Sequence, residues 1–87
     1  MVSYKIKFKK VAEKDLRKIP KNTIPKIIKA IHELASNPRP QGVKKLKTFN
    51  HSYRIRVGKY RVLYTIEDKF LIIEVIRIRH RKDAYRR

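Results

Sequence analysis

Arginines are the residues of this chain best suited to binding phosphate and neutralising its charge. Arg54 and Arg56 alternate with apolar residues, Arg61 follows five positions later, and Arg81 stands beside His80. A guanidinium group is always cationic and can hold a phosphate through two hydrogen bonds, but it cannot serve as an ordinary base. His80 supplies an imidazole, the residue type that most often carries a proton in catalysis. These residue types predict a site that binds and neutralises phosphate, with a titratable group close by.

Positive charge is concentrated in two parts of the sequence. The 87 residues include 25 Lys and Arg against 7 Asp and Glu, a formal net charge of +18. No carboxylate occurs between Glu33 and Glu67, and that window holds Arg39, Lys44, Lys45, Lys47, Arg54, Arg56, Lys59 and Arg61. The last stretch adds Arg77, Arg79, Arg81, Lys82, Arg86 and Arg87. These segments predict a polyanionic partner: nucleic acid first, an acidic protein second and an anionic membrane surface third. A charged surface that serves only solubility is the alternative.

Several classes of protein are excluded by what the sequence lacks. It has no cysteine, which rules out a disulfide scaffold, a Cys-ligated zinc site and a Cys nucleophile. Its carboxylates are scattered, and His32, His51 and His80 have no ligand spacing, so we expect no metal and no other cofactor. The longest apolar run covers only residues 70–73, and residues 1–10 lack the apolar stretch of a signal peptide. We therefore expect a single soluble domain over residues 1–87, located in the cytoplasm.

The first half of the chain predicts one strand and two helices. Apolar residues alternate with lysines over residues 3–9, which is typical of a half-buried strand. Apolar residues at helical spacing follow over residues 10–19, and Pro20 ends that helix. A second helix carries an isoleucine-rich stripe over residues 24–35, with Asn22 as its expected cap and Pro25 in its first turn. The two helices form a hairpin whose stripes must cover an apolar surface.

The second half predicts three strands joined by tight turns. They cover residues 52–57, 60–66 and 70–79, and Glu74 breaks the alternation of the last one, which indicates a β-bulge there. The order β-α-α-β-β-β predicts an α+β fold in which the helical hairpin packs on one face of a four-stranded, mainly antiparallel sheet. Tyr53, Tyr60 and Tyr64 share the parity of the apolar residues and are expected in the core. Arg54 and Arg56 then point to the uncovered face, where arginines on neighbouring strands form a groove for phosphates.

Two segments carry a resemblance to a known family. They are YRIRVGKYRVLY at residues 53–64 and IRHRKDAY at residues 78–85, preceded by the basic Lys45-Leu46-Lys47. Together with the β-α-α-β-β-β order, these segments resemble the RelE/ParE toxin superfamily, over nearly the whole chain. The RelE branch implies a toxin of a type II toxin-antitoxin system that cleaves mRNA in the ribosomal A site. The ParE branch implies a gyrase poison with the same fold and no nuclease chemistry.

The resemblance also implies which residues form the site. RelE-like members need basic residues on the second and third strands of the order above and an Arg, His or Tyr set near the C-terminus. Six residues stand at those positions and are the expected catalytic set: Arg54, Arg56, Arg61, His80, Arg81 and Tyr85. The RelE branch is therefore favoured. The expected RNA-binding residues are Lys44, Lys45, Lys47, His51, Lys59, Arg77 and Arg79.

RNA can be cleaved without a metal if its own 2′-hydroxyl attacks the adjacent phosphorus. The enzyme then removes a proton from the 2′-hydroxyl, neutralises charge on the phosphorane and protonates the departing 5′-oxygen. Arginines suit the second task. The best-known family pattern has lysines where this chain has Arg54 and Arg56, so proton transfer must fall elsewhere. His80, Tyr85, Lys45 and Lys47 are the candidates.

The RelE branch further implies partners. We expect an acidic RelB-like antitoxin, assembled with the toxin as a heterotetramer, and mRNA on the ribosome, with no membrane partner. Three other functions stay open at this point. They are a ParE-like gyrase inhibitor, a non-catalytic RNA-binding module, and a degenerate toxin retained only for binding its partner.

Overall fold

Helices and strands follow the predicted order, with two short additions. The computed structural model describes residues 3–47 and 51–84. In these ranges the elements are β1 (Lys5–Phe8), α1 (Lys10–Arg17), α2 (Ile24–Glu33), β2 (Lys44–Lys45), β3 (Ser52–Val57), β4 (Tyr60–Glu67), β5 (Ile72–His80) and α3 (Arg81–Ala84). The sheet order within this part of the chain is β1-β5-β4-β3-β2. β1 runs parallel to β5, and the remaining neighbours are antiparallel.

The expected α+β architecture is confirmed, and the described sheet has five strands where four were predicted. The additional strand is β2, whose Lys44 and Lys45 pair with Arg54 and Tyr53. Both lysines are exposed, so β2 has no alternation of apolar residues to reveal it. A short lysine-bearing strand also protects the sheet edge from pairing with other chains.

The helical hairpin covers one face of the sheet. Ala12 in α1 and Ile27 and Ile31 in α2 are fully buried. α1 ends two residues before Ile19, because the backbone N–H groups of residues 18 and 19 bond to carbonyls only three positions back and tighten the last turn. α2 begins after Thr23 rather than at a cap on Asn22, and Pro25 lies in its first turn as predicted.

Alternate residues of the three long strands fill the core beneath the helices. Tyr53 and Ile55 of β3 are buried, as are Val62 and Tyr64 of β4. The predicted core positions of the two tyrosines are thereby confirmed, while Tyr60 is partly buried at the end of β4. Because successive side chains of a strand point to opposite faces, Arg54 and Arg56 lie on the uncovered face.

A β-bulge in β5 changes which residues face the helices. Leu63 pairs with Arg77 and Tyr64 pairs with Val75, so Ile76 is an extra residue in β5. The bulge was expected at Glu74, which instead pairs regularly with Thr65. Residues of odd number are buried before the bulge, and Ile78 is buried after it. The sequence indicated an irregular strand, but charge at Glu74 pointed to the wrong residue because that side chain lies on the uncovered face.

Candidate nucleic-acid interface

Three arginines stand side by side across the uncovered face of the sheet. Arg56 of β3 pairs with Arg61 of β4, and Arg61 pairs with Arg79 of β5. Cβ atoms of directly opposite residues lie about 5 Å apart, on the same face. We refer to Arg56, Arg61 and Arg79 as the arginine row. Like charges directly opposite each other destabilise a sheet, so the row favours the approach of an anion.

A cavity of about 300 Å³ adjoins this row at the end of the β3–β4 hairpin. It is lined by Arg56, Gly58, Tyr60, Arg61 and Arg81, and we call it the arginine pocket. Gly58 turns the chain between the two strands with a φ of 59°, a conformation that glycine adopts without a steric penalty. The lining residues are cationic or neutral, so the pocket favours an anionic group of phosphate size.

Arg81 reaches the pocket because α3 is tied to the hairpin turn. The backbone N–H of Arg81 donates to the carbonyl oxygen of Lys59 at 2.7 Å. The Arg81 side chain therefore comes from a third segment of the chain and meets Arg56 and Arg61 around one cavity. Arg56 and Arg81 are exposed, and Arg61 is half-buried. Three guanidinium groups from three segments can surround a phosphodiester from different directions.

His80 lies on the helix side of the same strand end. Its register partner is Tyr60, and the two rings meet edge to face with centroids 5.2 Å apart and planes at 83°. The Nδ1 atom of His80 accepts a hydrogen bond from the backbone N–H of Lys82 at 3.1 Å. His80 borders a separate cleft of about 230 Å³ next to α1, and Tyr60 borders both that cleft and the arginine pocket. The structure therefore groups Arg56, Arg61 and Arg81 and sets His80 beside them, across Tyr60.

Arg77, an expected RNA-binding residue, is held by a carboxylate of α1. Its Nε and Nη2 atoms donate to Asp15 at 2.9 and 3.3 Å. Asp15 also accepts a hydrogen bond from the backbone N–H of Ile78 at 3.1 Å. Sequence reasoning missed Asp15, since 62 residues separate it from Arg77 and it looks like an ordinary polar residue of an amphipathic helix.

The remaining predicted site residues are spread around this interface. Arg54 lies on the uncovered face between Lys44 of β2 and Leu63 of β4 and does not border the arginine pocket. The other predicted residues within the described ranges are exposed, at Lys44, Lys45, Lys47, His51 and Lys59. Tyr85 lies outside the described residues.

Arg39, a cation of the acid-free window, belongs to a different network at the far end of the sheet. Its guanidinium bonds to Asp68 at 2.8 Å and lies 5.1 Å from the ring centre of Tyr53. Tyr4 donates a 2.6 Å hydrogen bond to the same carboxylate. Hydrogen bonds from Arg39 and then Tyr4 lower the pKa of Asp68 to about 2. Burial raises the pKa of Tyr64, whose hydroxyl donates to the carbonyl oxygen of Pro38 at 2.7 Å. This network fixes the loop after α2 to the sheet.

No three His, Cys, Asp or Glu side chains in residues 3–47 and 51–84 come together in a way that could hold a metal ion. None of the helices in this part of the chain has the length and apolar character needed to cross a membrane.

Comparison with known proteins finds relatives over nearly the whole chain. Residues 6–85 match the family model described as "ParE toxin of type II toxin-antitoxin system, parDE". The chain is 31% identical over 85 residues to Toxin RelG of Mycobacterium tuberculosis, covering 97% of this chain and 98% of that protein. It is 36% identical over 86 residues to Toxin RelE3 of Methanocaldococcus jannaschii, covering 93% and 94%.

A solved structure gives the same result at the level of the fold. The archaeal RelE–RelB complex from Pyrococcus horikoshii is similar with a TM-score of 0.81 and 28% identity, over 92% of this chain and 97% of that chain. This chain belongs to the RelE/ParE superfamily of type II toxin-antitoxin toxins. Within that superfamily it is a RelE-like toxin, as the resemblance in the sequence predicted.

Proposed function

We propose that this toxin is a ribosome-dependent endoribonuclease that cleaves mRNA in the A site without a metal ion and thereby inhibits translation. The observation that carries the proposal is the arginine pocket, in which Arg56, Arg61 and Arg81 from three segments line one cavity. A phosphodiester placed there meets guanidinium groups on more than one side. The arginine row extends this surface across the sheet and suits the neighbouring phosphates of a single strand.

The proposed reaction uses the RNA as its own nucleophile. The 2′-oxygen bonds to phosphorus and the bond from phosphorus to the 5′-oxygen breaks, which leaves a 2′,3′-cyclic phosphate and a 5′-hydroxyl. One proton leaves the 2′-hydroxyl and another reaches the departing oxygen. Arg56, Arg61 and Arg81 stabilise the charge that develops on the phosphorane oxygens. Loss of one such donor lowers the rate by about 10²–10³-fold in comparable oxyanion sites.

Proton transfer falls to residues other than arginine, drawn from His80, Tyr85, Lys45 and Lys47. A lysine ammonium suits the role of acid for the departing 5′-oxygen, since it is protonated at neutral pH. Lys45 is exposed in the edge strand β2, but its register partner is the core residue Tyr53, so it lies on the helix side of the sheet, opposite the face of the arginine row. Arg54 shares the uncovered face with that row and contributes further positive charge.

The proposed partner is an acidic RelB-like antitoxin, joined with the toxin in a heterotetramer. The similar RelE of P. horikoshii is found in a RelE–RelB complex. A net charge of +18 favours a partner of opposite charge, and covering the uncovered sheet face would block access to RNA. The proposal places the toxin in the cytoplasm, where its ribosomal target is.

A second candidate function is inhibition of DNA gyrase. The family model that matches residues 6–85 carries the ParE name, and this observation favours it. A gyrase inhibitor needs no scissile phosphate, so its action does not depend on the three arginines acting on one phosphodiester. The two functions therefore respond differently to a change at the arginine pocket.

Purified ribosomes programmed with a short mRNA test the proposed function. Wild-type toxin is compared with Arg56→Ala and with Arg17→Ala, which removes an exposed cation from α1 and leaves the pocket intact. A second message carries one 2′-deoxynucleotide at the cleavage position. We expect cleavage by wild type and Arg17→Ala, a 2′,3′-cyclic phosphate end, and no cleavage of the deoxy message. Cleavage of the deoxy message contradicts attack by the 2′-hydroxyl. An intact message together with inhibited gyrase supercoiling establishes the second candidate.

A further inference from the structure

We infer that His80 is a positioning residue, which caps α3 through its Nδ1 atom and holds Arg81 at the arginine pocket. The inference rests on the proposed function and refines it, since it removes His80 from the proton carriers. His80 is the last residue of β5 and directly precedes α3. Its Nδ1 atom accepts the N–H of Lys82, the second residue of that helix, at 3.1 Å. A side-chain acceptor at this position is the usual arrangement of a helix N-cap.

The hydrogen bond decides what the imidazole can do. A neutral imidazole has one nitrogen that accepts and one that donates. In His80 the accepting nitrogen is Nδ1, which the Lys82 N–H already occupies, so the proton is on Nε2. Nε2 therefore has no lone pair with which to take a proton from a 2′-hydroxyl. A doubly protonated ring could act as an acid, but its Nδ1–H would then oppose the Lys82 N–H and break the cap.

The surroundings of the ring agree with a supporting role. Tyr60 meets the His80 ring edge to face, and their register places both on the helix side of the sheet. The arginine pocket is lined without His80. The titratable and charged residues that border the His80 cleft are Asp15, Lys18, Tyr60, Arg77 and Arg79. An imidazole in this place affects the reaction indirectly, by positioning Arg81.

Two consecutive backbone N–H groups, those of Arg81 and Lys82, fix the backbone at Arg81. Its own N–H donates to the carbonyl oxygen of Lys59 at 2.7 Å, and the next N–H, of Lys82, donates to His80. The first bond ties α3 to the β3–β4 turn, and the second ties it to the end of β5. Together they fix the backbone from which the Arg81 side chain enters the pocket. Loss of the cap therefore loosens one of the three arginines that the proposed reaction needs.

Two substitutions separate the cap from proton transfer. In His80→Asn the side-chain oxygen can take the place of Nδ1, and asparagine is among the best N-cap residues. In His80→Gln the polar group lies one bond further out, close to the position of Nε2. Both variants lose the aromatic contact with Tyr60 and the titratable ring. They form a matched pair that differs in the cap.

The rate of cleavage on programmed ribosomes is the first measurement. We expect His80→Asn to stay within about twofold of wild type and His80→Gln to fall about fivefold, which corresponds to the typical loss of ~1 kcal/mol for a missing cap. We also expect the pH profile of His80→Asn to match that of wild type. If His80 carries the proton, both variants fall by about 10²–10⁴-fold, and the inference is overturned. Thermal unfolding of each variant shows whether it is folded at the assay temperature.

The second measurement concerns the wild-type protein alone. Nitrogen NMR shifts of His80 distinguish the two neutral tautomers and the cation. We expect the Nε2–H tautomer at pH 7.5, and a ring that carries its proton on Nδ1 overturns the inference whether or not the protein cleaves RNA. Arg81→Ala in the cleavage assay tests the proposed function separately: unchanged cleavage contradicts the role of the pocket and leaves the tautomer result standing.

Discussion

The carboxylate of Asp15 accepts hydrogen bonds from Arg77 and its neighbour in β5, where that strand lacks a paired strand on one side. β1 ends opposite Val75, so β5 continues beyond the end of its parallel partner. At that point Asp15 accepts from the Arg77 side chain at 2.9 Å and from the next backbone N–H, of Ile78, at 3.1 Å. The contact comes directly after the bulge at Ile76, which sets the faces of the residues that follow. Asp15 thus stabilises the strand geometry that brings Arg79 into the arginine row.

Asp15→Ala should lower the free energy of unfolding by about 2 kcal/mol, because hydrogen bonds to charged groups contribute about 1.5–3 kcal/mol. The Asp15 side chain is only 13% exposed, so water does not readily replace it. Urea denaturation measures the change. Glu13→Ala is the matched control, since Glu13 is an exposed carboxylate of the same helix, and it should stay close to wild type. Equal stability of the two variants would show that Asp15 does not support β5.

The sequence predicts those parts of the fold that have a periodic apolar pattern. Alternation in β3 places Arg54 and Arg56 on the uncovered face, and the stripe of α2 places Ile27 and Ile31 in the core. The two lysines of β2 carry no such pattern. A strand of two exposed residues is fixed by its hydrogen bonds to β3, which a sequence pattern does not reveal.

The sequence indicated which residue types form the candidate site, but it did not indicate how they are arranged in space. Arg56, Arg61 and Arg81 line one pocket, and their catalytic role stays a prediction. The position of His80 depends on the bulge at Ile76, since one extra residue moves every later side chain to the other face. The bond between Asp15 and Arg77 joins distant parts of the chain, and neither residue carries a local signal for it.

The salt dependence of RNA binding should show whether the arginine pocket neutralises a phosphate. For a single strand, the slope of log K against log salt concentration changes by about 0.7 for each phosphate that the protein neutralises. We expect Arg56→Ala to reduce the magnitude of the slope by about this amount, because one phosphate then keeps its counterion. Titrations of a short single-stranded RNA at several salt concentrations provide the measurement. Arg17→Ala should leave the slope unchanged, and an equal reduction in both variants would indicate binding through charge spread over the whole surface.

Stability should depend on pH through Asp68. Hydrogen bonds from Arg39, followed by Tyr4, lower its pKa from 3.8 to about 2 in the folded protein. A group with a lowered folded pKa stabilises the protein above its unfolded pKa and loses that contribution as the pH falls through the folded value. The stability difference between wild type and Asp68→Asn should therefore be constant above about pH 5 and shrink between about pH 4 and pH 2.

Thermal unfolding across this pH range measures that difference. Glu67→Gln is the control, because it removes an exposed carboxylate at the neighbouring position. Its stability difference from wild type should change much less over the same range. A difference for Asp68→Asn that stays constant down to pH 2 would contradict the pairing of Asp68 with Arg39.

In the proposed mechanism the arginine pocket acts on mRNA during translation. Induced expression in bacteria, followed by primer extension on a translated message, tests it in one experiment with wild type, Arg81→Ala and Arg17→Ala. We predict growth arrest and new 5′ ends inside codons for wild type and Arg17→Ala, and a loss of both for a folded Arg81→Ala. Growth arrest with an intact message, or cleavage that survives Arg81→Ala, would contradict the proposed mechanism.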